Sequence, residues 1–119
     1  MELSELCGRI GADAELLRER MGGNETLVRR FLGSLPRDRV FDDLRRAMQE
    51  EDYPAAGSAA MTLKQFAECL EMLALAALCD ELLNALRSGS NVKSCFQRLS
   101  DEYLRVVGEI EKFSGCRSG

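Results

Sequence analysis

The strongest constraint on the fold lies in the last quarter of the chain. Val92, Phe96, Leu99, Tyr103, Val106, Ile110 and Phe113 follow one another at alternating steps of four and three. That spacing keeps all seven side chains on one seam of a helix, whereas a strand changes face at every residue. A long helix with an apolar seam must bury it, and the rest of the sequence supplies further helices to bury it against. Asp13 can cap a helix over Ala14–Met21, which stops at Gly22-Gly23. Asn24 caps the next, with Leu27, Val28, Phe31, Leu32 and Leu35 on one stripe. Pro36 ends it, and Asp38 starts a third that carries Val40, Phe41, Leu44, Ala47 and Met48.

Glu50-Glu51-Asp52 marks a further break, and Pro54 suits the first turn of a helix running to about Glu71. A fifth segment carries Leu75, Leu78, Leu82 and Leu86, and Ser88-Gly89-Ser90-Asn91 is a loop before the final seam. Residues 1–11 form a lead-in with a short helix from Glu2 to Cys7, and the polar tail 114–119 is expected to fray. No period-two alternation and no internal repeat appears. The expected fold is therefore all-α, a single domain over residues 1–119. Short loops between long amphipathic segments imply an antiparallel up-down-up-down four-helix bundle, built from the segments starting near Asp38, Tyr53, Met72 and Asn91. The two shorter N-terminal helices are expected to cap one end.

Composition removes whole classes of chemistry. The 119 residues contain no histidine, so there is no imidazole base, no Ser-His or Cys-His pair and no histidine metal ligand. The net charge of −4 argues against a nucleic-acid footprint. Cys7, Cys69, Cys79, Cys95 and Cys116 are odd in number and show no CxxC spacing, so neither a zinc knuckle nor a redox motif is written here. Free cysteines suit a reducing compartment. The opening Met1-Glu2-Leu3-Ser4-Glu5 lacks the basic and apolar parts of a signal peptide. The longest apolar stretch, Met72 to Cys79, is too short to span a bilayer. A cytoplasmic, soluble protein without membrane or nucleic-acid partners is expected, with no cofactor, no metal and no enzymatic activity.

The segment from Pro54 divides into two unlike sides. Ala56, Ala59, Ala60, Leu63, Phe66, Ala67 and Leu70 form a core face of small residues and long anchors. Gly57, Ser58, Met61, Lys64, Gln65 and Glu68 form the other, and Met61 is its one large apolar member. Single exposed hydrophobes are common and need no function. Methionine also suits an adaptable docking centre, with Lys64 and Glu68 as its polar rim.

The run Ala59-Ala60-Met61-Thr62-Leu63-Lys64-Gln65-Phe66-Ala67-Glu68-Cys69-Leu70 resembles the central helix of histidine phosphotransfer (HPt) domains, which carry Ala-His-x-Leu-Lys-Gly. The likeness extends over about residues 12–112. Gly22-Gly23-Asn24-Glu25-Thr26-Leu27 through Phe31-Leu32 is similar to the family's second helix, and Leu35-Pro36-Arg37-Asp38 to the turn after it. Asp52-Tyr53-Pro54-Ala55-Ala56 is similar to the entry into the phosphotransfer helix, and Leu78 through Leu86 to the helix that follows.

The departures carry the functional expectation. The phosphoryl-accepting histidine falls on Met61, whose thioether offers no nitrogen, and the family glycine one turn later falls on Gln65. Two further small positions fall on Glu68 and Glu71, while Lys64, which in the family helps hold the phosphoryl group, is retained. The resemblance thus implies a pseudo-HPt adaptor of two-component phosphorelay signalling. It would bind a response-regulator receiver domain or a histidine kinase without accepting phosphate, as a monomer or weak homodimer. A structural or assembly module using the same face is the alternative. An active carrier using Ser58 lacks a base to activate the hydroxyl.

Other groupings have plainer accounts. Glu68 and Glu71 are placed on or near the solvent side rather than in a core metal site. Asp42-Asp43 and Glu50-Glu51-Asp52 read as solvated charge. Arg18, Arg20, Arg29 and Arg30 are expected to pair with nearby glutamates. Cys69 is expected to be buried as a small hydrophobe.

Overall fold

Asparagine and aspartate side chains start several of the helices. A computed structural model describes residues 2–114. Among them are seven α-helices and no strand: α1 (Leu3–Ile10), α2 (Ala14–Arg20), α3 (Glu25–Ser34), α4 (Val40–Gln49), α5 (Tyr53–Cys69), α6 (Leu73–Ser88) and α7 (Val92–Ser114). Asp13 Oδ1 accepts from the N–H groups of Glu15 and Leu16, and Asn24 Oδ1 accepts from that of Leu27 at 3.1 Å. Asp38 Oδ1 accepts from Val40 N–H at 2.9 Å, although Arg39 holds the cap position of α4. Each carboxylate or amide oxygen satisfies a donor that the first turn leaves unpaired.

Several of the helices stop at left-handed residues. After α1, α2, α4 and α5 the chain turns through Gly11 (φ 75°), Gly22 (φ 66°), Glu51 (φ 57°) and Glu71 (φ 59°). At each turn the next N–H reaches back to a carbonyl in the helix: Ala12 to Cys7, Gly23 to Arg18, Asp52 to Ala47 and Met72 to Ala67, at 2.7–2.9 Å. This pattern closes a helix by satisfying its orphan carbonyls. Two of the four turns use glutamate where glycine is the usual residue. Both of them flank α5. Because no glycine marks its end, the expected extension of α5 to Glu71 overshoots by two residues.

One continuous core links all seven helices. Helix α5 packs against α4 on one side and α6 on the other, and α6 packs against α7. Phe41 of α4 stacks on Tyr103 of α7 with centroids 4.1 Å apart, and lies 6.2 Å from Phe96. The seam of α7 is as its spacing predicts, with Val92, Leu99, Tyr103, Val106, Ile110 and Phe113 buried and Phe96 half-buried.

The lead-in is more than a lead-in. The expected short helix from Glu2 to Cys7 is present as α1, but it runs on through Gly8 to Ile10 and buries Leu3, Leu6, Cys7 and Ile10. It thus joins the two expected N-terminal helices as a third that packs into the core. Helices α1 and α3 both pack on α7. Arg9 of α1 reaches Glu109 at 3.3 Å, Arg105 donates to the Arg9 carbonyl at 2.6 Å, and Arg29 of α3 lies over the Phe113 ring at 4.6 Å. Phe31 of α3 meets Phe66 of α5 edge-on at 6.2 Å. The expected frayed tail and Cys116 lie outside the described residues, apart from the backbone of Ser114, which ends α7.

Candidate functional site

Helix α5 lies between α4 and α6, yet it keeps one side open. Asp52 Oδ1 accepts from Ala55 N–H at 3.3 Å, and Pro54 occupies the first turn, where its missing N–H costs nothing. Ala56, Ala60, Leu63, Ala67 and Leu70 are fully buried. The small alanines among them let α4 and α6 approach from both sides. Ala59 and Phe66 are partly buried against the same core.

The outward side carries the expected candidates. Met61 is 43 % exposed, in a helix whose buried positions are at 0 %. Ser58, Gln65 and Glu68 are exposed, and Gly57 and Lys64 are half-buried. A Cβ built on Gly57 would meet nothing within 4 Å, so no close packing demands glycine there. It keeps the surface low beside Met61. Thr62 Oγ1 donates to the Ser58 carbonyl at 3.1 Å, turning that hydroxyl back onto the helix. Past Ser58, a groove of about 520 Å³ opens between α4 and α5, lined by Asp38, Arg39, Val40, Asp43, Ala55, Ala59 and Thr62 as well.

Electrostatics on the α6 side depend on a partner that the sequence did not reveal. Lys64 Nζ lies 2.8 Å from Asp80 Oδ1 on α6. The Asp80 carboxylate pushes the Lys64 ammonium up and so keeps it charged. Lys64 is thus a committed cation rather than a free rim charge. Beneath the pair, burial pushes the Cys79 thiol up to about 12, with Asp80 adding to the shift and Lys64 opposing it. A thiol so held is neutral and inert at ordinary pH.

Two expectations are overturned. Cys69 is exposed, because it follows Met61 and Gln65 at steps of four and so lies on the outward side of α5. Glu71 is only 7 % exposed, since the left-handed turn after α5 swings its side chain inward, where Arg20 of α2 pairs with it. Glu68 and Glu71 therefore diverge, one outward and one inward, and cannot act as a joint pair of metal ligands. Among the arginines, Arg29 pairs with Glu25 within its own helix at 3.2 Å, as spacing predicts. Arg18 reaches Glu25 across a turn at 4.0 Å.

A second concavity escaped the sequence reading. Leu16 (44 % exposed) and Leu73 (64 %) both line a groove of about 440 Å³ with Gly8, Gly11, Ala12 and Glu71. Leu73 sits inside the apolar run Met72 to Cys79, and nothing in that run distinguishes an outward leucine from an inward one. No helix among the described residues is long and apolar enough to cross a membrane. Comparison with protein-family models, curated proteins and solved structures gives no match.

Proposed function

We propose that the chain is an HPt-like docking module that binds a receiver domain or a histidine kinase of a two-component phosphorelay and carries no phosphate itself. The observation that carries this reading is Met61. It is a 43 % exposed apolar side chain on the outward face of a helix held between α4 and α6. It also occupies the position where the HPt resemblance puts the phosphoryl-accepting histidine. An apolar centre with a polar surround has the anatomy of a protein interface.

The reading includes an antiparallel up-down-up-down bundle of α4 to α7. Sequential packing of these helices supports it, as does the stack of Phe41 on Tyr103 that joins the first to the last. So does the meeting of the N-terminal helices with Phe66 near the end of α5, Glu71 just before α6, and Glu109 and Phe113 near the end of α7. Alternating helices bring those ends together.

The test uses purified receiver domains and kinases, first phosphorylated and then unphosphorylated. The chain should bind at least one of them and acquire no acid-labile phosphate, because none of its side chains is an imidazole. Met61→Asp should abolish binding while leaving the helical content intact. Stoichiometric acid-labile label, or binding indifferent to Met61→Asp, would refute the proposal. Self-association lost in Met61→Asp, without receiver binding, would favour an assembly module instead. Met61→His alone should restore at most weak transfer, since Gln65 still fills the position of the family glycine. Adding Gln65→Gly should improve on it.

A further inference from the structure

We infer that α2 is a hinged lid over Cys7, latched to the rest of the protein by the pair of Arg20 with Glu71. Glycines in the left-handed region stand at both of its ends, Gly11 (φ 75°) before it and Gly22 (φ 66°) and Gly23 (φ 80°) after it. A Cβ built on any of the three would meet nothing within 4 Å, so both joints stand in open space. Glycine turns absorb backbone rotations that other residues resist. The segment between the joints, Ala14–Arg20, packs chiefly on its chain neighbours α1 and α3, whereas α1 and α3 also pack on α7.

Few points hold α2 down. Leu17 is its one fully buried side chain, and Ala14 is partly buried against the same core. Arg18 pairs with Glu25 of the neighbouring α3, whereas Arg20 pairs with Glu71 in the turn between α5 and α6. The Glu71 end of this latch is fixed, because Met72 N–H closes that turn on the Ala67 carbonyl at 2.8 Å and the Glu71 side chain is buried. The Arg20 end is exposed and moves with the helix. Beneath α2 lies Cys7, only 1 % exposed, which lines the groove of about 440 Å³ beside Ala12, Asp13, Ala14 and Leu16. Burial pushes its thiol up, and the charges that act on it, Arg18 and Asp13, belong to α2 and its cap. Swinging α2 outward opens the groove onto this thiol while α4 to α7 stay packed.

Alkylation of the full chain with iodoacetamide, followed thiol by thiol through peptide mass mapping, reads the lid. Cys79 and Cys95 are buried in α6 and α7, so they report wider unfolding and serve as internal controls. Without denaturant, Cys7 should react at least about tenfold faster than either control. Its rate should be nearly flat in urea, because a local opening exposes little surface, while the controls climb steeply. Arg20→Ala should speed the reaction of Cys7 by about tenfold, but by less than about twofold in a Glu71→Gln background. A Cys7 that reacts no faster than the controls, or shares their urea dependence, would overturn the lid. So would a Cys7 rate indifferent to Arg20→Ala, which would assign the exposure to fraying of α1. If Arg20→Ala fails to fold, seen as fast labelling of Cys79 and Cys95, the urea dependence in the unsubstituted chain decides alone.

Discussion

The glutamates that end α4 and α5 share a backbone conformation but not a role, and three substitutions separate the two. Glu51 (φ 57°) is exposed, whereas Glu71 (φ 59°) is 7 % exposed and paired with Arg20. A left-handed conformation costs an L side chain about 1–2 kcal/mol. Glycine avoids that cost but gives back about 0.5–1 kcal/mol through its more flexible unfolded chain. Glu51→Gly should therefore stabilise the protein by about 0.5–1 kcal/mol. Glu71→Gly gains the same relief, loses an ion pair worth about 0.5–1 kcal/mol and gives up the burial of its methylenes. Its net effect should fall between neutral and about 1 kcal/mol destabilising. Arg20→Ala is the harsher change, because it leaves the buried carboxylate without its cation. Breaking a fully buried pair costs about 3–5 kcal/mol, and the 54 % exposure of the Arg20 side chain reduces this to about 1–2 kcal/mol. In a Glu71→Gly background the same Arg20→Ala should cost less than about 0.5 kcal/mol. Urea unfolding with an unchanged slope reads all four values. An equal cost for Arg20→Ala in both backgrounds, or a destabilising Glu51→Gly, would refute the reasoning.

Leu63 is fully buried and Met61 is 43 % exposed, so Leu63→Ala should cost about 2–5 kcal/mol and Met61→Ala less than about 0.5 kcal/mol in thermal or urea melts. Comparable losses would make Met61 a core residue and remove the docking face. A further prediction concerns alkaline pH. Burial raises the Cys79 thiol from 9.0 to about 12 and the Tyr103 phenol from 10.0 to about 12, so the folded chain keeps two protons that the unfolded chain releases. That stabilisation is complete below about pH 9 and lost as pH climbs toward about 12. Cys79→Ala should flatten the early part of the decline in urea midpoint, and an unchanged slope would exclude Cys79 as its cause.

Periodicity carried most of the fold, since it depends only on which residues avoid water. The seam of α7 and the two-sided character of α5 follow directly from spacing. What spacing missed were features set by contacts between distant segments. Glu71 looked like surface charge because its partner, Arg20, lies in α2, and its inward swing needs a left-handed residue that no glycine advertised. Cys69, by contrast, was legible: it lies four residues after Gln65 and eight after Met61, on the outward stripe. Met61 was readable as exposed from its neighbours at three and four residues. The pairing of Lys64 with Asp80 was not, because it joins two helices whose relative rotation no local pattern encodes.

The docking of α1 on α7 also bears on how the protein is made. Arg9 and Glu109 stand 100 residues apart in the chain, yet they meet across that contact. A ribosome adding about 5–20 residues per second needs on the order of 5–20 s to make the intervening segment. Throughout that interval Leu3, Leu6 and Ile10, all buried in the finished fold, have no α7 to cover them. Helix α1 waits for α7, and the nascent chain offers a sticky apolar edge to chaperones until α7 has been made.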